Sequence, residues 1–253
     1  MRLDPMLAVL NREMKIRATN VTFIFWDVLY PLAYLVVFGV AMTRAMNFSG
    51  SGLTMDYNSF FLAGVLGMAS FAIASNTAWS FFMDRDNGIF YEMLTYPMSR
   101  GEYLLGKVLF NVAVALVQAF ITVLLAALLL GVNVTLAHLP LLITTVAIGT
   151  AGWFFFYAIF ALRIRRNDAF NTVTSVFYFV FLFASSMFYP LEPLPRLFQL
   201  FGYANPITWH VDVLRYATIG LGDPRTIALE AMAFILFGLV AFTLALRALR
   251  NQE

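Results

Sequence analysis

Residues 101–107 read GEYLLGK, and this spacing of glycines and lysine matches the opening of a nucleotide-binding P-loop. In a P-loop the next residue is Ser or Thr, whose hydroxyl binds magnesium, but Val108 follows here. The motif also runs directly into an apolar segment, with no strand pattern before it. The sequence therefore does not predict a nucleotide site in this segment.

Residues 220–223 read GLGD, the motif of intramembrane aspartyl proteases. Those enzymes need two aspartates that face each other and share a proton. Asp27 is the other aspartate within an apolar segment, about five residues from its start, which at ~1.5 Å per residue places it under about 10 Å deep. Asp223, before Pro224, falls at the boundary of a different segment. A turn is favoured there, and an aspartyl-protease-like membrane enzyme is the alternative hypothesis.

Asp27 is also a candidate functional residue by itself, because ionisable side chains inside apolar segments are costly. The competing interpretation is that the helix dipole stabilises its charge near a helix start, where it reaches interfacial water. His138 and His210 are single and far apart in the sequence, so they predict no metal site. We predict no catalytic residues and no metal in this chain.

The composition of the 253 residues indicates whether the chain is surrounded by water or by lipid. Hydrophobic residues make up 61% and charged residues 12%, whereas a soluble domain has about 25% charged residues. Such a chain would expose far too much apolar surface to water. The composition excludes a soluble enzyme, a disordered chain and a nucleic-acid binder. The absence of cysteine excludes disulfides and cysteine-ligated metals.

Six segments are apolar and long enough to cross a bilayer, which takes roughly 20 residues. They cover about residues 22–42, 59–82, 108–130, 139–162, 169–189 and 227–246. The predicted fold class is therefore an all-α integral membrane protein with six transmembrane helices, in a single domain over residues 1–253.

The distribution of basic residues predicts the orientation of these spans. The N-terminal arm, the loops after the second and fourth spans and the C-terminal tail hold 12 Lys and Arg residues. The other side holds four, namely Arg44, Arg196, Arg215 and Arg225. Because basic residues stay on the cytoplasmic side, we expect both termini to be cytoplasmic.

Three segments are not expected to cross the membrane. Residues 1–21 form an amphipathic lead-in that suits an interfacial helix, although an ordinary charged lead-in fits equally well. Residues 83–107 form a charged loop with a short helix or a solvated hairpin at Ile89–Thr95, and we expect Lys107 to extend to the lipid headgroups. Residues 190–225 contain five prolines and two apolar runs too short to span, which is typical of re-entrant helices.

Three pieces of the sequence together resemble the type-2 permease subunit of ATP-binding-cassette exporters, a group that includes permeases for O-antigen, teichoic acid, nodulation factors and anthracyclines. The first is the N-terminal LNREMKIR. The second is the loop that contains DRDNG, YEML, YPMSRGE and GK. The third is Asn205-Pro206-Ile207-Thr208 followed by Val211-Asp212 and Leu214-Arg215. Trp209 departs from the family pattern, as does Ile89-Phe90, where Thr-Leu is common.

The resemblance implies that ATP and magnesium bind to a separate cytoplasmic ATP-binding subunit, present in two copies, and that this chain holds no cofactor. It implies a coupling helix after the second span that sits in a groove of that subunit, with Ile89, Phe90 and Leu94 packed into the groove. The residues assigned to coupling are Arg85, Asp86, Ile89, Phe90, Tyr91, Glu92, Leu94, Pro97, Arg100 and Glu102. It also implies a homodimer that opens along the first and fifth spans, with Asn205, Pro206 and Arg215 in an outer re-entrant signature.

The substrate is only weakly constrained by the sequence. Trp26, Tyr30 and Tyr34 recur every fourth residue and share one helical stripe. With Asp27 and Trp209 they are candidates for a substrate path, although Trp and Tyr populate membrane interfaces for other reasons. An amphiphile, either a glycolipid or polysaccharide or a hydrophobic drug, is expected to move outward in the inner membrane, without nucleic-acid partners.

Overall fold

The computed structural model describes residues 3–20, 22, 25–48 and 56–250 of the chain. Arg2 and residues 23 and 24 at the start of the first predicted span lie outside the described residues, as does the side chain of Arg44. The described residues form helices and connecting turns, with no strand among them. This confirms the all-α class. The helices are α1 (Leu3–Thr19), a π-helix (Phe25–Leu29), α2 (Tyr30–Phe48), α3 (Tyr57–Asp86), α4 (Ile89–Met93), α5 (Arg100–Leu130), a 3-10 turn (Leu136–His138), α6 (Leu139–Arg163), α7 (Asn167–Phe183), α8 (Arg196–Tyr203), α9 (Pro206–Ile219) and α10 (Pro224–Arg250).

Five stretches of helix in the described part of the chain are long and apolar enough to cross a membrane. They are Phe25–Met42, Tyr57–Asp86, Arg100–Leu130, Leu136–Arg163 and Pro224–Arg250. The sixth segment, predicted over residues 169–189, corresponds to α7, which has 17 residues and ends at Phe183. The loop that follows bends back through Ser185 and Ser186, which are buried. The count of six spans therefore stays a prediction.

The loop predicted over residues 83–107 is shorter than expected. Helix α3 continues through Asp86 and α5 begins at Arg100. Ser99 caps α5 in a capping box with Glu102, in which each side chain accepts a hydrogen bond from the other residue's backbone N–H. Gly88, with a φ of 77°, allows the sharp turn into α4. The charges at positions 84, 85, 102 and 107 therefore lie on helices, where they face neighbouring helices.

Helix α3 forms the centre of the bundle. It packs against α2, α5, α6 and α9, and 20 of its 30 residues are buried. Small residues at Gly64, Gly67 and Ala74 allow close approach, as is common between membrane helices. Polar side chains also connect the helices inside the bundle, since Thr77 donates to Asn111, which donates to the Thr150 carbonyl. These two hydrogen bonds link α3, α5 and α6.

Helix α9 is short but lies deep between the long helices. Val211 packs on Gly67 of α3 and His210 packs on Gly149 of α6. Both glycines are ten residues into their helices, which corresponds to about 15 Å at 1.5 Å per residue. Asn205 caps α9 and also donates to the Phe181 and Ala184 carbonyls at the end of α7. The proline-rich segment therefore contains a helix that is buried against three others.

We expect Gly149→Ala to destabilise the protein. A Cβ at this position would lie 2.0 Å from His210 Nε2, against a rigid and buried imidazole ring. Overpacking of this kind costs about 1–3 kcal/mol, so the midpoint of thermal unfolding in detergent should fall. Gly101→Ala, with no atom within 4 Å of its Cβ, is the matched control and should leave the midpoint unchanged or raise it. Equal midpoints for the two variants would contradict the packing described for α9.

Candidate functional site

The end of the bundle that carries α1 and α4 contains a cluster of four charges, Arg12, Glu13, Asp84 and Lys107, of which all but the partly exposed Arg12 are buried. Lys107 Nζ lies 2.7 Å from Asp84 Oδ2 and 2.9 Å from Glu13 Oε1. Arg12 binds Asp84 through both Nη atoms, at 2.7 and 3.0 Å, and Tyr103 donates to Asp84 at 2.5 Å. This charge cluster is formally neutral and joins α1, α3 and α5.

The expectation that Lys107 extends to the headgroups is wrong. Its side chain is 0% exposed, because both of its carboxylate partners lie inside the bundle. Gly106 has a related role, since a Cβ there would lie 2.7 Å from the Cβ of Val9 in α1. The glycine and lysine that resemble a P-loop therefore hold α1 against α5.

A second buried ion pair ties α1 to the first apolar segment. Arg17 Nη2 lies 2.8 Å from Asp27 Oδ2, and Asn76 of α3 donates to Asp27 Oδ1 at 2.9 Å. Burial lowers the pKa of Arg17, and the charge of Asp27 opposes that shift. Asp27 is 2% exposed, so the interpretation that it reaches interfacial water is wrong. Its contacts are to α1 and α3.

The sequence-predicted coupling residues divide into exposed and buried groups. Tyr91 is 48% exposed, and Asp86, Glu92 and Pro97 are also exposed, while Ile89 and Leu94 are partly buried. Phe90 is 0% exposed and contacts Phe81 and Tyr103, with ring centroids 5.6 and 5.3 Å apart. The expectation that Phe90 packs into a partner's groove does not fit this position, because its ring fills the core of its own chain.

Three charged residues of the predicted coupling set stabilise helix ends instead of facing outward. Arg85 is buried and donates to the Ala161 and Ile164 carbonyls at the end of α6. Arg100 donates to the Leu249 and Arg250 carbonyls at the end of α10, at 3.2 and 3.4 Å. Glu102 is buried in its capping box. Cationic side chains commonly bind the free carbonyls at helix C-termini.

The opposite end of the bundle contains a cavity of about 870 Å³. Its walls come from α2, α3, the end of α7, the segment after it, α9 and the start of α10. Eight of the 21 lining residues are aromatic, and four carboxylates and one arginine lie among them. The aromatic lining residues are Tyr34, Phe38, Tyr57, Phe60, Phe183, Phe188, Tyr189 and Tyr203, and the charged ones are Glu192, Asp212, Arg215, Asp223 and Glu230.

Arg215 organises the polar part of this cavity. It pairs with Asp212, donates to the Ser186 carbonyl at 2.8 Å, and its guanidinium carbon lies 3.9 Å from the centroid of the Phe60 ring. Ser186 in turn donates to Asp212 at 2.7 Å. The predicted outer signature is thus brought together in part, since Asn205 and Pro206 begin α9 and Arg215 lies nine residues after Pro206 in the same helix.

An aromatic stripe on the first apolar segment leads to the cavity. Ring centroids are 5.4 Å apart for Trp26 and Tyr30, 4.9 Å for Tyr30 and Tyr34, and 5.1 Å for Tyr34 and Phe38. Tyr34 and Phe38 line the cavity, whereas Asp27 and Trp209 do not. Trp209 donates to the Tyr203 carbonyl at 2.7 Å. Only Tyr34 of the predicted substrate-path residues is therefore a wall residue.

The model of the ABC-2 type transporter family matches residues 5–219, which is most of the chain. The chain belongs to the ABC-2 type transporter family. Curated relatives are the ycf38 transport permeases of Cyanophora paradoxa and Porphyra purpurea, 26% and 25% identical over 75% of this chain. The ycf38 permease of Pyropia yezoensis is 23% identical over 82% of this chain and 74% of its own length. The chain spans 65% of the length of the first two relatives.

The match to this membrane-spanning family and the five long apolar helices together support a multi-pass membrane protein. The matched region includes the charge cluster, α4 and most of the cavity wall. Sequence reasoning found the exposed residues around α4. It missed Glu13, Asp84, Ser186 and Glu230, because contacts that form only when distant helices pack together leave no local signal in the sequence.

We expect Lys107→Met to destabilise the protein by about 3–5 kcal/mol, because it leaves the buried charge cluster with a net negative charge. Lys15→Met, on the exposed face of α1, is the control and should change stability little. The double variant Glu13→Gln with Lys107→Met restores neutrality and should cost less than the sum of the two single changes. Thermal unfolding in detergent is measured for the wild type, the two single variants, the double variant and the Lys15→Met control. Strict additivity would show that the two side chains do not interact.

Proposed function

We propose that this chain is the membrane subunit of an ABC exporter that moves an amphiphilic substrate outward, using ATP hydrolysed on a separate cytoplasmic subunit. The observation that carries the proposal is the cavity beside α2 and α9. Its aromatic wall suits the apolar part of an amphiphile, and Arg215, Asp212 and Glu230 suit a polar group. Pockets of this composition and size typically hold small ligands.

The surface around α4 is the proposed contact with the ATP-binding subunit. Tyr91, Glu92, Tyr96 and Pro97 are exposed there, and exposed tyrosines often carry the binding energy of an interface. Phe90 joins this surface to Tyr103, and Tyr103 donates to Asp84 in the charge cluster. A push on α4 therefore reaches α1 and α5 through contacts that are already made.

Two copies of the chain are proposed to face each other along α2 and α7. Both helices expose apolar side chains, including Val37 at 63% and Phe179 at 63%. A two-fold pair would bury the same surface of each copy, as in most homo-oligomers. The cavity opens next to these helices, so separation of the pair would expose it. In this arrangement both termini and α4 are cytoplasmic, in the inner membrane, as the distribution of basic residues predicts.

The alternative hypothesis of an aspartyl protease has less support. Asp27 is bound by Arg17 and Asn76, next to α1. Asp223 accepts hydrogen bonds from the backbone and hydroxyl of Thr226, at the start of α10. The two carboxylates therefore have separate partners on separate elements and share no proton.

Tyr91→Ala should weaken assembly with the ATP-binding subunit by about fivefold or more, because it removes an exposed aromatic ring from the proposed contact. Tyr203→Ala, 45% exposed at the opposite end, is the matched control and should not change assembly. The measurement is the affinity of each purified variant for the ATP-binding subunit that co-purifies with the wild-type chain. Equal affinities for the two variants, or no such subunit, would contradict the proposed role of α4.

Single-cysteine labelling tests the orientation, because the chain contains no cysteine of its own. We expect Arg196→Cys and Arg225→Cys to react with a membrane-impermeant maleimide in intact cells. Glu92→Cys and Asp168→Cys should react only after the cells are permeabilised. All four side chains are on exposed residues, so accessibility in the fold is matched. The reverse pattern would place both termini outside.

A further inference from the structure

The cavity beside α2 and α9 is acidic as well as aromatic. Four of its described lining residues are carboxylates, namely Glu192, Asp212, Asp223 and Glu230, and Arg215 is the single cation among them. A cavity with walls of low polarity concentrates the effect of such an imbalance, because less water screens the charges. The cavity therefore favours a positive charge on whatever occupies it.

The hydrogen bonds of the described residues show which carboxylate is available. Asp212 accepts from Ser186 and pairs with Arg215, and Asp223 accepts from Thr226. Glu192 is exposed at the rim. Glu230 differs from all three, because its Oε2 is buried and has no hydrogen-bond partner among the described residues. Buried carboxylate oxygens without a partner are costly, and a cationic ligand would remove that cost.

The wall of the cavity already contains one cationic side chain that is bound to an aromatic ring. The guanidinium of Arg215 lies over the ring of Phe60, 3.9 Å from its centroid. A cation over an aromatic face is attracted by the ring's negative face. The cavity is also lined by the rings of Tyr34, Phe38 and Tyr57, and no cation among the described residues lies over these rings.

The size of the cavity limits the occupant. About 870 Å³ lies within the range of roughly 300–1,000 Å³ that is usual for sites of drug-sized molecules. An organic ion with an apolar body fits this volume. The carboxylates of the wall favour a positive charge on this ion, and the aromatic rings suit its apolar body.

We propose that the cavity binds an amphiphilic organic cation, an ammonium or similar centre on an apolar body, with its charge beside Glu230 and its body against Tyr34, Phe38 and Tyr57. This inference rests on the proposed function in taking the cavity as the transport site, and it names the class of substrate. Asp212 keeps Arg215 in place, so the single cation of the wall does not repel the ligand's charge directly.

The experiment compares two nearly isosteric ions of opposite charge, tetraphenylphosphonium and tetraphenylborate. Each is tested for equilibrium binding to the purified permease together with its ATP-binding subunit in detergent, with a detergent blank subtracted. We expect saturable binding of tetraphenylphosphonium and at least about tenfold weaker binding of tetraphenylborate. Equal affinities, or no saturable binding of the cation, would overturn the proposal.

Glu230→Gln isolates the carboxylate. It keeps the shape of the side chain and should weaken tetraphenylphosphonium binding by about tenfold or more. The affinity for tetraphenylborate should change less than this. Asp168→Asn is the control, because it neutralises an exposed carboxylate at the start of α7, outside the cavity. Its effect should stay within about twofold, since exposed charges are screened. Unchanged affinity in Glu230→Gln would show that this carboxylate does not bind the cation.

The assembly measurement separates this proposal from the proposed function. If the ATP-binding subunit assembles with the permease but the cation does not bind selectively, the substrate class is wrong and the exporter role stands. If the cation binds selectively but no ATP-binding subunit assembles, the cavity is a cation site in a protein of another function. Each result therefore decides one of the two statements.

Discussion

A buried charge in this protein requires a partner close by, because bilayer hydrocarbon offers no water to solvate it. That requirement determines the positions of helices α1 and α9. The charge cluster of Arg12, Glu13, Asp84 and Lys107 fixes α1 against α3 and α5. The pair of Arg215 and Asp212 similarly joins α9 to the segment after α7 through Ser186. Without these pairs the short helices would have little reason to leave the membrane surface.

The same pairing connects α4 to the long helices through a continuous series of contacts. Phe90 packs on Tyr103, Tyr103 donates to Asp84, and Asp84 holds both Lys107 and Arg12. Arg85 and Arg100 add fixed connections to the ends of α6 and α10. Since packed interiors deform little, a displacement applied at α4 is shared by several long helices.

The sequence predicts the membrane class, the family and the approximate extent of the apolar segments, because these depend on composition and on local order along the chain. It overestimates the length of the loop at 83–107, because the charges of Asp84, Arg85 and Glu102 are typical of a solvated loop. In the fold these side chains are paired and lie on helices. It misplaces Lys107 for the same reason. The cavity could not be predicted, because its polar residues come from α9, α10 and the segments before each of them, which become neighbours only in the folded chain.

The two ends of the bundle differ in how completely their charges are paired. At the α4 end every member of the charge cluster has a partner and the packing is closed, which suits the transmission of force. At the other end the helix after the fourth long segment stops at Phe183, and α9 fills only part of the space between the long helices. The remaining space is the cavity, and there the pairing of charges is incomplete at Glu230. This buried oxygen has no hydrogen-bond partner among the described residues, so it leaves an excess of negative charge in the cavity that a bound cation would balance. Bound in this way, a ligand would interact differently with a closed and an opened cavity, which is the condition for coupling its binding to a conformational change.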